Sequence, residues 1–159
     1  MVAKRNKKIL FVCSAGGHLA ETLMMEKLYQ KYEYLIVTED VPSARFLSET
    51  YAMKFIKPDV EGRRIGYWWN IFMNFFLSLP ILIKFRPDLV ITTGSHTAFP
   101  MCVLAKILRI KVVYILSYAR VNTKAKSANI IYPLADVFLV QWKSAQKLYP
   151  KSIYKGSLF

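Results

Sequence analysis

"KILFVCSAGGHLAET", residues 8–22, is an apolar run that halts at two glycines and a histidine and resumes with helical spacing. A strand followed this closely by a helix start is the first βα unit of an α/β protein, and its small-residue junction is where backbone is open to a ligand. The alternation recurs downstream. Strands are expected at 8–14 (KILFVCS), 34–39 (YLIVTE), 53–58 (MKFIKP), 89–94 (LVITTG), 111–117 (KVVYILS) and 137–142 (VFLVQW). Several are continuously apolar, as strands covered on both faces must be. Helical stretches lie between them at 18–32, 41–51, 65–84 and 97–109. In the first, Leu19 and Leu23 define an apolar face opposite Glu26 and Lys27. Alternating β and α calls for a parallel sheet with right-handed crossovers. The expected fold is a single Rossmann-like, doubly wound α/β domain over residues 1–159.

Composition agrees with one well-buried domain. The chain has 159 residues, 54% hydrophobic and 14% aromatic, which excludes disorder as a description of the whole. Lys plus Arg number 23 against 10 Asp plus Glu, a net charge of +13. Such an excess favours anionic partners: nucleic acid, acidic head groups or phosphorylated substrates. The lysines are scattered and no RNA-binding signature or basic helix is present, so nucleic acid is not an expected partner. Cys13 and Cys102, far apart in apolar segments, read as buried free thiols of a reducing compartment. The N-terminus imitates a signal peptide, but "ILFVC" is too short for its apolar region; residues 1–7 read as a solvated basic lead-in.

In a sheet of this kind ligands sit beyond the carboxyl ends of the strands. That edge is expected to carry Ser14–His18, Thr92–Thr97 and Ser117–Arg120. Gly16 and Gly17 permit positive φ and close approach to backbone, and the helix that follows offers unpaired N–H groups to phosphate. His18 is placed to hydrogen-bond a hydroxyl, pair with phosphate or act as a general base. The pattern is not G-x-G-x-x-G, so the dinucleotide fingerprint is missing and no cofactor is expected. "TTGSHTAFP" (92–100) repeats the theme, with Gly94 for a tight turn, Ser95, His96 and Thr97 for capping or ligand contact, and Pro100 in a first helical turn. Neither histidine has metal-ligand spacing to a partner, and no metal is expected.

"IGYWWNIFMNFFLSLPILI", residues 65–83, holds 19 residues without a charge, with Arg63, Arg64, Lys84 and Arg86 around it. As a helix it puts Trp68, Phe72, Phe75, Phe76, Leu79 and Ile83 on one face and Asn70, Asn74 and Ser78 in a narrow polar strip. Three readings compete. About 28 Å of helix is just enough to cross a bilayer, but a single crossing would separate strands three and four, which one sheet needs together. A wholly buried core helix is the second. The third is an interfacial helix dipping Trp68, Trp69, Phe72, Phe75, Phe76 and Leu79 into one leaflet, and the net charge favours it.

Together "SAGGHLAE", "TTGSHTAFP" and above all the run from Tyr114 to Phe159 resemble the accessory subunits of two-part glycosyltransferases. These are the bacterial capsule and exopolysaccharide glycosyltransferase-enhancer proteins and the eukaryotic dolichol-pathway N-acetylglucosaminyltransferase accessory subunit. The resemblance implies the N-terminal, acceptor-side half of a GT-B glycosyltransferase, peripheral on the cytoplasmic face of the membrane. A separate polypeptide would bind the UDP-sugar, and the acceptor would be a sugar on polyprenyl pyrophosphate. With this resemblance, the loops at the sheet edge make Ser14, Gly16, Gly17, Gly94, Ser95, His96, Thr97 and Ser117 expected acceptor contacts and His18 the expected catalytic residue; Arg120 would face phosphate or the partner, Gln141 and Trp142 would serve folding or the subunit interface, and Leu158 and Phe159 would dock on the partner. Two stretches depart from the family: Leu116 stands where its strand-five motif has Glu, and Ser127-Ala128-Asn129 where it has Ser-Gly-Lys. A scaffold that only recruits the transferase to the membrane is the alternative.

Overall fold

In the computed structural model, which describes residues 6–58 and 64–158, the first strand is buried at five of its six positions. Strands β1 (Lys8–Cys13), β2 (Glu33–Glu39), β3 (Met53–Ile56), β4 (Leu89–Gly94), β5 (Lys111–Ile115), β6 (Val137–Val140) and β7 (Ile153–Tyr154) form one seven-stranded sheet in the order β3-β2-β1-β4-β5-β6-β7. Every neighbouring pair is parallel. This is the α/β, Rossmann-like architecture the alternating pattern requires. The two-residue β7 has no apolar run of its own, which is why the pattern did not reveal it.

Because successive side chains on a strand point to opposite faces, β1 feeds two cores. Leu10 and Val12 join Val37, Leu82, Met101 and Tyr114 on one face, while Ile9, Phe11 and Cys13 join Leu19, Tyr29 and Ile36 on the other. Both cysteines are free and fully buried.

The helices are α1 (Gly17–Leu23), α2 (Glu26–Lys31), α3 (Pro42–Leu47), α4 (Arg64–Phe85), α5 (Phe99–Ile107) and α6 (Lys126–Ile131). The helix expected over 18–32 is therefore two. The Thr22 carbonyl is taken by the Met25 N–H at 3.1 Å and by the Tyr29 hydroxyl, so the i→i−4 ladder stops there. A 3-10 turn, His96–Ala98, precedes α5 and is capped by Ser95.

Helix α4 is inverted relative to an ordinary surface helix. Its polar strip faces the protein: Asn74 and Ser78 are buried, and Asn70 donates to the Pro58 carbonyl at 2.9 Å. Its aromatic stripe faces out, with Trp68 67% and Phe76 59% exposed, and Trp69, Phe72, Leu79 and Ile83 exposed beside them. Phe75 departs from the expected outer face; it is half-buried and meets the Phe99 ring edge-on at 6.2 Å. Gly66–Phe85 is long and apolar enough to cross a bilayer, yet it connects β3 to β4 of one sheet and lies against α5.

Candidate functional site: a cationic cleft at the switch point

Helices leave β1 toward β2 on one side, and β4 leads to β5 on the other, so a crevice opens where β1 and β4 part. A cleft of about 640 Å³ occupies that place. Ser14 and His18 reach it from the β1 exit, Ser95 and His96 from the β4 exit, and Leu116 and Ser117 from the β5 exit. Arg120 and Lys124 line it from the loop between β5 and α6 and Lys126 from the first position of α6, and no carboxylate among the described residues lines it. Arg120 makes only a 3.4 Å contact with the Thr123 hydroxyl and no ion pair among the described residues. Three uncompensated cations and two imidazoles make an anion-binding cleft.

Four other expected site residues, Gly16, Gly17, Gly94 and Thr97, stand outside the cleft lining. Gly16 has φ 76° and is exposed with Gly17, but neither lines the cleft. The loop they form does not present free amides only: the Ala15 N–H already donates to the buried Glu39 carboxylate at 3.1 Å. Helix α1 is also only seven residues long. Gly94 (φ 116°) lies beneath the site: a Cβ there would stand 2.5 Å from the Tyr114 hydroxyl and 3.4 Å from His18 Cε1. Thr97 is buried, with its hydroxyl 2.9 Å from that of Ser95 and its N–H donating to the capping Ser95 hydroxyl at 3.4 Å, and it does not line the cleft.

Gln141 takes the folding alternative of its two readings. It is buried, donating to the Leu116 carbonyl at 3.0 Å and accepting from the Leu158 N–H at 3.1 Å, so both amide ends are spent inside the chain. Trp142 is half-buried, donates to the Tyr118 carbonyl at 2.7 Å and packs on the Tyr118 ring. Leu158 is exposed; Phe159 lies outside the described residues.

Glu21 was not among the residues singled out by sequence. Its Oε1 accepts from the Ser117 hydroxyl at 2.7 Å and from the Tyr118 N–H at 2.9 Å, while Oε2 stands 3.8 Å from His18 Nδ1. At that length the His18 contact is electrostatic and not yet a hydrogen bond. Burial pushes the Glu21 carboxyl up; His18, then Ser117 and the Tyr118 amide, more than reverse this and hold it below the usual carboxylate range. Its i, i+3 spacing from His18 on one helix face was the available signal. Lys124 and Lys126 sit in a stretch without periodicity, so only tertiary structure could bring them to the cleft. The ring of His96 meets Tyr67 of α4 edge-on at 5.8 Å, which ties the cleft to the first turn of the aromatic helix.

Residues 9–158 match the family described as "Oligosaccharide biosynthesis protein Alg14 like". The chain is 30% identical over 182 residues to a UDP-N-acetylglucosamine transferase subunit of Homo sapiens, covering 98% of this chain and 84% of the relative. It is 28% identical over 176 residues to the subunit of the same name from Yarrowia lipolytica, covering 96% of this chain and 82% of the relative. Among solved structures, Acinetobacter baumannii MurG superposes with a TM-score of 0.72 at 15% identity, over 95% of this chain and 44% of that one. The UDP-GlcNAc 2-epimerase of Methanocaldococcus jannaschii gives 0.68 at 12%, over 88% and 41%. The chain thus spans under half of either solved protein, and these likenesses speak for the fold, one Rossmann-like half of a GT-B architecture.

Proposed function

Because this chain belongs to the Alg14-like family of oligosaccharide biosynthesis proteins, we propose that it is the acceptor-side subunit of a two-part glycosyltransferase. It forms one domain, inactive alone, that recruits a donor-binding partner to the cytoplasmic face of a membrane. Its cleft holds a polyprenyl-pyrophosphate-linked sugar, in lipid-linked oligosaccharide or polysaccharide assembly of the capsule or exopolysaccharide kind. The observation that carries this reading is the uncompensated charge of Arg120, Lys124 and Lys126 beside the outward aromatic stripe of α4. A lipid pyrophosphate needs both: cations for its charged linkage and an interfacial surface at its isoprenoid end.

The partner supplies the UDP-sugar. The acceptor hydroxyl gives its proton to His18, its oxygen bonds to the anomeric carbon, and the bond from that carbon to the diphosphate breaks. The nucleoside diphosphate leaves with the electron pair. Leu158 and Trp142, near the C-terminal end of the chain, are offered as partner contacts.

Reconstitution of the chain with its partner on vesicles tests this. Arg120→Ala with Lys124→Ala is expected to raise acceptor KM about tenfold or more, as charge-assisted contacts to phosphate are lost, with donor KM unchanged. A partner that reaches full turnover on a soluble acceptor analogue without this chain would favour the scaffold reading instead.

A further inference from the structure

Among the described residues, His18 and Glu21 each hold a buried side-chain polar atom beside the cleft that has no hydrogen-bond partner. Nδ1 of His18 and Oε2 of Glu21 are both buried, yet they face each other at 3.8 Å across one turn of α1. A closing movement of about 1 Å would join them in a hydrogen bond of ordinary length. The carboxylate is not free to turn away, because Oε1 is anchored to the Ser117 hydroxyl and the Tyr118 N–H at the β5 exit. The imidazole is 31% exposed although Nδ1 is covered, so its exposure lies on the other edge, toward the cleft that His18 lines. Gly94, with no side chain, leaves room for the ring at Cε1. Position 116, where the resembling family has Glu, is here a buried leucine; the carboxylate that reaches Ser117 comes from α1.

We propose that Glu21 is a positioning residue for His18: by accepting Nδ1–H it fixes the neutral imidazole in one tautomer and turns the Nε2 lone pair into the cleft as a proton acceptor. The consequence for catalysis rests on the functional reading above, whereas the pairing itself does not. On the cleft with the imidazole, or packed beside it, stand Glu21 on its own helix, His96 after β4, Tyr114 of β5, Arg120 and Lys124 of the β5–α6 loop, Lys126 at the start of α6, and Glu39 beneath the glycine loop. Among the described residues, Glu21 is the carboxylate within 4 Å of the imidazole.

The experiment is long-range 1H–15N correlation spectroscopy of the histidine-labelled full chain in zwitterionic bicelles, followed with pH. Neutral His18 is expected as the Nδ1–H form. Glu21→Gln is expected to shift it toward Nε2–H and to lower its pKa by about one unit, a tenfold change in proton affinity. The signal of His96 in the same spectra is the control and should stay in place. An Nε2–H form in the unaltered chain, or a change below about 0.3 units in the variant, overturns the pairing. The tautomer of the unaltered chain remains decisive if the variant does not fold. In the reconstituted pair, the acid limb of kcat should move to lower pH in Glu21→Gln while the plateau falls. An unmoved limb together with the expected spectra would uphold the pairing and remove His18 as the base.

Discussion

Asn74 and Lys57 exchange two hydrogen bonds: the Lys57 N–H donates to Asn74 Oδ1 at 2.8 Å, and Asn74 Nδ2 donates to the Lys57 carbonyl at 3.0 Å. A buried side-chain amide thus completes the backbone where β3 ends, and it explains why α4 turns its polar strip inward. Buried amides must be paired, so the polar strip goes to the strand exit and the aromatic stripe is left outside.

Asn74→Leu removes both bonds and strands the Lys57 backbone groups. A loss of about 2–4 kcal/mol is expected, from one to two unpaired buried polar groups. Chemical denaturation measures it; a change under ~0.5 kcal/mol would mean water already satisfies that backbone.

Phe72→Asp with Phe76→Asp targets the outer stripe. Both rings are more than half exposed, so the fold should be kept. Flotation with anionic vesicles should show binding weakened by a factor on the order of 30 or more, since each lost insertion is worth about 1–2 kcal/mol. Unchanged flotation would separate the stripe from membrane attachment.

Gly94→Ala would place a methyl carbon 2.5 Å from the Tyr114 hydroxyl at a φ of 116°. Destabilisation of about 2 kcal/mol or more is expected from clash and backbone strain together. Tyr114→Phe, which deletes the clashing oxygen, should recover part of it. A strictly additive double-mutant cycle would show the two positions do not meet.

Asp136 sets an acid dependence. It accepts from Lys106 Nζ and from the Val112 N–H, both at 2.7 Å. Burial raises its pKa, but the Lys106 and Val112 bonds and the nearby Lys111 outweigh this and hold it below the ordinary carboxylate range. With the folded value depressed, its contribution is complete above the unfolded pKa of about 4 and is lost as pH falls through the folded value. Asp136→Asn should therefore lower the urea midpoint by more at pH 7 than at pH 3. An equal deficit at both would assign the loss to packing.

Burial pushes the thiols of Cys13 and Cys102 up to about 12. Native protein at pH 8 should resist a thiol reagent and release two equivalents on unfolding. Rapid labelling of either cysteine in the native state would place it outside the core.

What the residues decide unaided is local. Continuous apolar runs of three to five residues in most strands, separated by helical spacing, leave a parallel sheet as the structure that buries both strand faces, and the carboxyl edge carrying Ser14, His18, Ser95, His96 and Ser117 follows from that topology. The aromatic and polar stripes of α4 were also legible, being fixed by a 3.6-residue period. Which stripe faces inward was not, because it depends on the unpaired Lys57 backbone that Asn74 meets. The same holds for the break between α1 and α2, for the burial of Gln141 and Thr97, and for the assembly of Glu21 and the β5–α6 lysines around His18. Each is a contact between residues distant in sequence or set by a neighbour's side chain, and only folding in three dimensions fixes which groups share a dry, low-dielectric space.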